Sequence, residues 1–353
     1  MTRDRSYAAA IAEATAIAME IDERILCFGL GVDDPKRIFG TTAGLVERFG
    51  PRRVFDMPTS EAAMTGVAIG ASLDGARCLM THQRLDFFLL TLDQIVNNAA
   101  KWRYMFGGQA APVRIVVRLI LGRGWGQGPT HSQNLQAWFA HIPGLKVVMP
   151  ASPADAKGLL LSALFDDNPV LFLEHRWLHQ MQGELPEGDH RVPIGKAAVM
   201  AEGSDLTIVT MSSMTVETLH ALPALQEAGI SAEVIDLRSI RPLDLDTVLA
   251  SVRKTGRLLA VDTASPVCSV ASEIVATAAC ECFDRLEGPP RRLALPDFPV
   301  PTSPALTDGF YPRAEQIAVA AAGMLGRTVD VAEIVASRTS PHDVPGDWFK
   351  GPF

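Results

Sequence analysis

The sequence predicts two doubly wound α/β domains in tandem. Short apolar runs that end at glycine or a turn alternate with longer stretches of helical periodicity. Runs such as Val170 to Leu173 are continuously apolar, as in strands buried on both faces of a parallel sheet. The alternation pauses over residues 179–205, rich in Gly, Pro, Asp and Glu, and then begins again, which places a linker between two units. The expected bounds are 1–190 for the first domain, 191–327 for the second and 328–353 for an extended tail.

Taken in order, Ala8 to Met19 has helical periodicity with few breakers, and Arg24 to Gly29 reads as a short buried strand. Ala62 to Leu73 is a helix of small residues, Ala76 to Met80 a strand, Thr91 to Arg103 a helix and Val113 to Leu121 a strand. A glycine-rich loop then runs through Gly128. A helix over Pro153 to Phe165, a turn at Asp166-Asp167-Asn168-Pro169 and the Val170 strand close the first unit. The second repeats the pattern, with strands at Leu206 to Met211, Ala232 to Leu237 and Leu258 to Asp262. Its helices are Val216 to Ala228, Leu243 to Lys254 and Val267 to Phe283. Beyond residue 327 one short helical stretch precedes Pro341, Pro345, Gly346 and Pro352.

Composition narrows the function. The 353 residues are 48% hydrophobic and 20% charged, enough for real cores. A formal charge of −8 without any Lys/Arg run argues against nucleic acid as a partner. Five cysteines without paired metal-ligand spacing read as free thiols of a reducing cytoplasm. Neither an export signal nor a membrane span is expected, since no run of about 18 uncharged apolar residues occurs.

Three stretches could carry chemistry. Met57-Pro58-Thr59-Ser60-Glu61 opens the small-residue helix; taken alone, Glu61 reads best as a capping-box residue favoured by the helix dipole. Gln83-Arg84-Leu85-Asp86-Phe87-Phe88 precedes a helix on which Asp93, Gln94, Asn97, Asn98 and Lys101 share one face. That is either an ordinary amphipathic helix or, with the aromatics, a surface for a heteroaromatic ring. Gly122 to Gln133 sets four glycines and His131 directly after a buried strand, where open α/β sheets contact ligands. It lacks the Gly-Lys-Ser/Thr of a P-loop and the Gly-x-Gly-x-x-Gly context of a dinucleotide site. His131 is either structural or a proton carrier.

In combination these segments resemble the β subunits of the pyruvate, branched-chain 2-oxo acid and acetoin dehydrogenases, a two-component branch of the transketolase-like family. The likeness spans residues 7–325. It is densest at Pro58-x-Ser60-Glu61, Asp93-Gln94-Ile95-x-Asn97-x-Ala99-Ala100-Lys101, His131-Ser132-Gln133, Pro143 to Pro150, Asp155 to Leu159 and Asp236 to Asp244. The resemblance implies a transketolase-like pyrimidine-binding domain followed by a transketolase C-terminal domain, and thiamin diphosphate as cofactor. Glu61 would hydrogen-bond a ring nitrogen of the aminopyrimidine and promote the tautomer that activates the thiazolium. Phe87 would lie against the pyrimidine with Gln83 as polar neighbour, and His131 would handle protons during acyl transfer to lipoamide. Ile115, Ala163, Leu164, Asp166 and Asn168 match a loop that holds potassium as a structural monovalent cation. The Gly-Asp-Gly…Asn signature for magnesium and diphosphate is absent, so an α subunit should supply that half of the site in an α2β2 heterotetramer, with a lipoyl acyltransferase core as a further partner and a 2-oxo acid as substrate.

The pattern departs from the family in three places. Gly29-Leu30-Gly31 replaces Gly-Glu-Asp or Gly-Glu-Glu, which removes the acid of a carboxylate path between active sites. Arg118-Leu119-Ile120-Leu121-Gly122-Arg123-Gly124 is bulkier than the usual Arg-x-Pro-x-Gly. The tail ending Asp347-Trp348-Phe349-Lys350-Gly351-Pro352-Phe353 has no counterpart; its aromatics would dock on the partner or cover a local patch. Two further readings follow: a stand-alone two-component enzyme transferring a two-carbon or acyl unit to a carbonyl acceptor, and a non-catalytic scaffold.

Overall fold

The computed structural model describes residues 2–123 and 126–349; Gly124 and Trp125 of the glycine-rich loop and residues 350–353 of the tail lie outside the described residues. Strand β1 (Thr2–Ser6) leads into helix α1 (Tyr7–Ile21), whose first turn is capped by Ser6 Oγ accepting from Ala9 N–H at 3.2 Å. Strands β2 (Ile25–Gly29), β3 (Val54–Asp56), β4 (Arg77–His82), β5 (Ile115–Leu121), β6 (Lys146–Val148) and β7 (Val170–His175) are the parallel body of the first unit. β4, β5 and β7 are buried at every residue, which is why apolar side chains dominate the middle of each.

Helices cover both faces: α1 and α7 (Pro153–Leu164) pack together on one, and α3 (Glu61–Leu73) lies against β4 on the other. Between them run the short α2 (Leu45–Phe49), α4 (Leu85–Phe88), α5 (Ala100–Met105) and α6 (Gln136–Ala140). The helix expected over residues 91–103 is a composite of a one-turn 3-10 helix (Leu89–Thr91), a π-helical stretch (Asp93–Ala99) and α5. Its polar residues face outward, with Asn97 donating to Asp93 at 2.8 Å and Lys101 to Asn97 at 3.3 Å, the amphipathic arrangement.

The linker is not structureless. Strand β8 (Gln182–Pro186) pairs antiparallel with β1, and β9 (Ala198–Ala201) joins the second sheet antiparallel to β11 (Ala232–Asp236). That sheet has the order β14-β13-β10-β11-β9, with β10 (Leu206–Thr210), β13 (Leu258–Val261) and β14 (Arg291–Leu293). Around it pack α8 (Ser213–Glu227), α9 (Leu245–Thr255), α10 (Val270–Glu281) and α11 (Ala314–Met324). One strand crosses over. β12 (Ser239–Arg241), read as part of the second unit, pairs antiparallel with β6, so the first sheet runs β12-β6-β7-β5-β4-β2-β3.

The tail forms one short helix, α12 (Ala332–Ala336), and then docks back on the first unit instead of extending into solvent. Trp348 Nε1 donates to the Trp177 carbonyl at 3.0 Å, and the Arg176 guanidinium lies 5.1 Å over the Phe349 ring. The fully buried Arg123 donates from Nη1 to Asp343 Oδ2 at 2.9 Å and from Nη2 to the Thr302 carbonyl at 2.9 Å. Trp348 and Phe349 therefore cover a surface of this same chain.

Candidate active site

The residues singled out above gather at the C-terminal edge of the first sheet, where strand ends and loop starts leave backbone groups free for ligands. β3 is followed by Glu61, β4 by Gln83 and Phe87, and β5 by the loop that carries His131; β3, β2, β4 and β5 are successive neighbours in the sheet. α3 packs against the 3-10 and π turns after β4, which ties the first two loops together.

Glu61 is the first residue of α3 and only 7% exposed. It does not form the capping box that its position suggests: Ser60, the N-cap, makes no side-chain cap, and the Glu61 carboxylate receives no hydrogen bond from the described residues. A nearly buried carboxylate at a helix start, favoured by the dipole yet unpaired, is suited to accept an N–H from a ligand. Phe87 is half-buried, and its ring meets that of His131 edge-on, with centroids 5.3 Å apart and planes at 89°. His131 Nδ1 lies 3.0 Å from Thr130 Oγ1, and Nε2 has no hydrogen-bond partner among the described residues. A second bridge joins the same two loops, Gln133 Nε2 donating to Asp86 Oδ1 at 2.7 Å. Gln83 packs on Gly31, whose φ of 78° is a left-handed conformation suited to glycine. An unpaired carboxylate, an aromatic face and a histidine on one sheet edge fit the aminopyrimidine of thiamin diphosphate.

The turn matched to a potassium loop is engaged by cationic side chains of the protein itself. Arg77 Nη1 donates to the Leu164 carbonyl at 3.0 Å and the Asp166 carbonyl at 3.2 Å. The Asp166 carboxylate pairs with Lys146 and accepts the Asn168 N–H at 2.8 Å. Ile115 and Ala163 sit at the start of β5 and in the last turn of α7, framing a turn whose oxygens already serve protein cations. Among the described residues no group of three or more His, Cys, Asp or Glu stands together as a metal site.

Sequence reasoning missed two groups. Asp56, ending β3, accepts the N–H groups of Gly31, Val32 and Asp33 at 3.2, 2.6 and 3.2 Å, so it shapes the loop in which Leu30 replaces the family acid. Arg84, 4% exposed, donates from Nη2 to Gln127 Oε1 at 2.5 Å and anchors the glycine-rich loop. Behind the loop Arg118 and Glu174, both fully buried, form a bidentate pair at 2.5 and 2.9 Å, and His179 adds a contact to Glu174 at 3.1 Å. Burial outweighs that contact and pushes His179 down to about 4.

Comparison with known proteins agrees with the geometry. Residues 3–181 match the family described as "Transketolase, pyrimidine binding domain" and residues 195–317 "Transketolase, C-terminal domain". The chain is 43% identical over 331 residues to the β subunit of acetoin:2,6-dichlorophenolindophenol oxidoreductase of Cupriavidus necator, covering 91% of this chain and 97% of that protein. It is 40% identical over 318 residues to the 2-oxoisovalerate dehydrogenase β subunit of Bacillus subtilis (89% and 97% covered). With the mitochondrial pyruvate dehydrogenase E1 component subunit β-1 of Arabidopsis thaliana it shares 42% over 326 residues (89% and 90% covered). A solved "Split gene transketolase, inactive beta4 tetramer" matches with a TM-score of 0.73 at 22% identity, over 91% of this chain and 98% of that one, a likeness of fold. The chain belongs to the transketolase-like family, in its branch of separately encoded β subunits of 2-oxo acid and acetoin dehydrogenases.

Proposed function

We propose that this protein is the β subunit of a two-component thiamin-diphosphate enzyme that decarboxylates a 2-oxo acid and passes the acyl unit to a lipoyl carrier. The observation that carries the reading is the Glu61 carboxylate, 7% exposed and unpaired among the described residues, beside the Phe87–His131 contact. When bound, thiamin diphosphate supplies a carbon nucleophile for the 2-oxo carbonyl. The chain's own part is to hold it and move protons. Glu61 holds a proton at the aminopyrimidine nitrogen, Phe87 and Gln83 orient the ring, and His131, through Nε2, delivers or removes the proton of the transferred acyl group. The α partner, in an α2β2 heterotetramer in the cytoplasm, contributes the magnesium and diphosphate half, and this chain divides into its two domains at about residue 190.

The test is co-purification with the α-type protein, then calorimetric titration of thiamin diphosphate and magnesium into each chain and the complex. Binding only to the complex is expected; tight binding to this chain alone, or none to the complex, overturns the reading and leaves the scaffold. A second reading, transfer to a carbonyl acceptor without a lipoyl carrier, is favoured by the tail docked on the loop of His131. Turnover that needs an aldehyde or ketone acceptor and ignores lipoamide would select it.

A further inference from the structure

Arg84 stands between Gln83 and Phe87 at the end of β4, with its guanidinium 96% out of solvent by residue exposure, yet only Nη2 has a described partner, Gln127. Its Nη1 is buried and receives no acceptor among the described residues. A buried guanidinium N–H left unpaired costs more than a neutral one, so such a group is retained where a ligand completes it.

A second guanidinium lies close by. The guanidinium of Arg176, at the end of β7, lies 4.1 Å over the Phe39 ring, and that of Arg84 lies 5.8 Å over the same ring. Of the neighbouring carboxylates, Asp86 accepts from Gln133 on Oδ1 at 2.7 Å and attracts Arg84 without forming an ion pair with it among the described residues, and Asp343 is taken by Arg123. His175 adds no negative charge; burial and the cations around it push it down to about 3, so it is neutral. Burial and the mutual repulsion of Arg84 and Arg176 likewise pull Arg176 down to about 10. Two guanidiniums at the C-terminal ends of β4 and β7, that of Arg84 with an unmet donor, are complemented by an anion with planar or tetrahedral oxygens.

We propose that Arg84, backed by Arg176, receives an oxyanion of a small-molecule reactant, a carboxylate or a phosphate, and is a specificity-determining residue of this site. The proposal rests on the functional reading above for the identity of the reaction, while anion binding itself does not. Sequence placement supports it: Arg84 is flanked by the two residues assigned to the cofactor ring, and its one described partner lies four positions before His131.

The experiment uses the α–β complex saturated with thiamin diphosphate and magnesium, so that the diphosphate site is filled. Inorganic phosphate is titrated by calorimetry, and the KM of pyruvate or 2-oxoisovalerate, whichever turns over, is measured with a dye acceptor. Losing one charge-assisted contact should weaken the anion about 10- to 100-fold. If Arg84→Gln raises the 2-oxo acid KM by that factor, with a smaller fall in kcat, the receptor takes the donor's carboxylate. If that KM moves less than threefold but phosphate binding falls at least tenfold, it takes an anion on the second reactant. If neither moves, or the unmodified complex binds no phosphate saturably and its 2-oxo acid KM is indifferent to Arg84→Gln, the proposal is overturned. Should Arg84→Gln fail to assemble, Arg84→Lys keeps the charge but not the fork and is expected to weaken the same quantity at least threefold; no change overturns the proposal. A complex that binds no thiamin diphosphate sinks the functional reading and leaves the phosphate titration to decide this one.

Discussion

Replacing Asp343 with Ala should release the C-terminal tail from the glycine-rich loop. Arg123 is fully buried, and its side-chain exposure and that of Asp343 are 0% and 3%. Removing one member of such a pair typically costs about 3–5 kcal/mol because an uncompensated charge stays inside. Here the guanidinium keeps three carbonyl acceptors, Gln127 at 3.3 Å, Thr302 at 2.9 Å and Asp343 itself at 3.2 Å, which lowers the expectation to roughly 2–4 kcal/mol. Since about 1.4 kcal/mol is a factor of ten, amide exchange across residues 341–346 should accelerate on the order of 30- to 1000-fold. Hydrogen-exchange mass spectrometry of the αβ complex reads this directly. The double variant Arg123→Met with Asp343→Leu, which removes both charges, should recover most of the protection. Acceleration below threefold in the single variant, or no recovery in the double, would refute the claim that this pair holds the tail.

Glu61→Gln, co-expressed with the α partner, should abolish 2-oxo acid turnover with assembly intact; near-normal turnover measured by dye reduction would sink its proton role. His131→Ala should slow acyl transfer more than decarboxylation, resolved by single-turnover kinetics of each step, and equal losses would assign it elsewhere. Arg77→Met leaves the Leu164 and Asp166 carbonyls unpaired and should lower the urea midpoint, and potassium should restore no more than sodium does at equal ionic strength. His82, His175 and His179 are held neutral by burial, at about 4, 3 and 4, below the 6.5 of an unfolded chain. The unfolded state binds more protons in that window, so stability falls as pH drops from 6.5 toward 4. Each contributes up to about 1.4 kcal/mol per pH unit. Burial and the nearby Asp155 raise Asp236 to about 7 and oppose one of them, leaving a net slope of up to about 3 kcal/mol per pH unit. Urea unfolding at pH 6.5, 5.5 and 4.5 checks it, and a flat profile contradicts it.

The alternating elements were legible because a parallel sheet buried on both faces imposes period and apolarity on each strand separately. Val170 to Leu173 and Leu206 to Met211 needed no knowledge of their neighbours. What escaped depends on pairing between distant segments. β1 and β8 are polar, half-exposed strands that among the described residues pair only with each other, and β12 is three residues whose affiliation is set by β6. The π-helical stretch is a change of backbone hydrogen-bond register that no side-chain pattern announces. Of the site, Glu61, Phe87 and His131 stood out once several motifs were read in order, since each alone has an ordinary structural explanation. Arg84 passed unremarked because an arginine before a helix looks solvent-facing; only the fold shows it covered by Phe39 and the loop at Gln127. At the turn matched to a cation loop a carbonyl's position can be inferred from sequence, while the donor that reaches it, here Arg77 from a different strand, cannot.

The crossing of β12 bears on how the polypeptide can be cut and made. Ser239–Arg241 closes the β6 edge of the first sheet, so ribosomal synthesis leaves that edge bare until about ninety further residues have emerged. A bare strand edge invites pairing with other chains. A truncated gene product stopping near residue 190 should therefore accumulate as aggregates, whereas supplying residues 191–349 in trans should rescue its solubility. For this chain the smallest unit that can be expressed, evolved or exchanged between relatives is the whole two-sheet body.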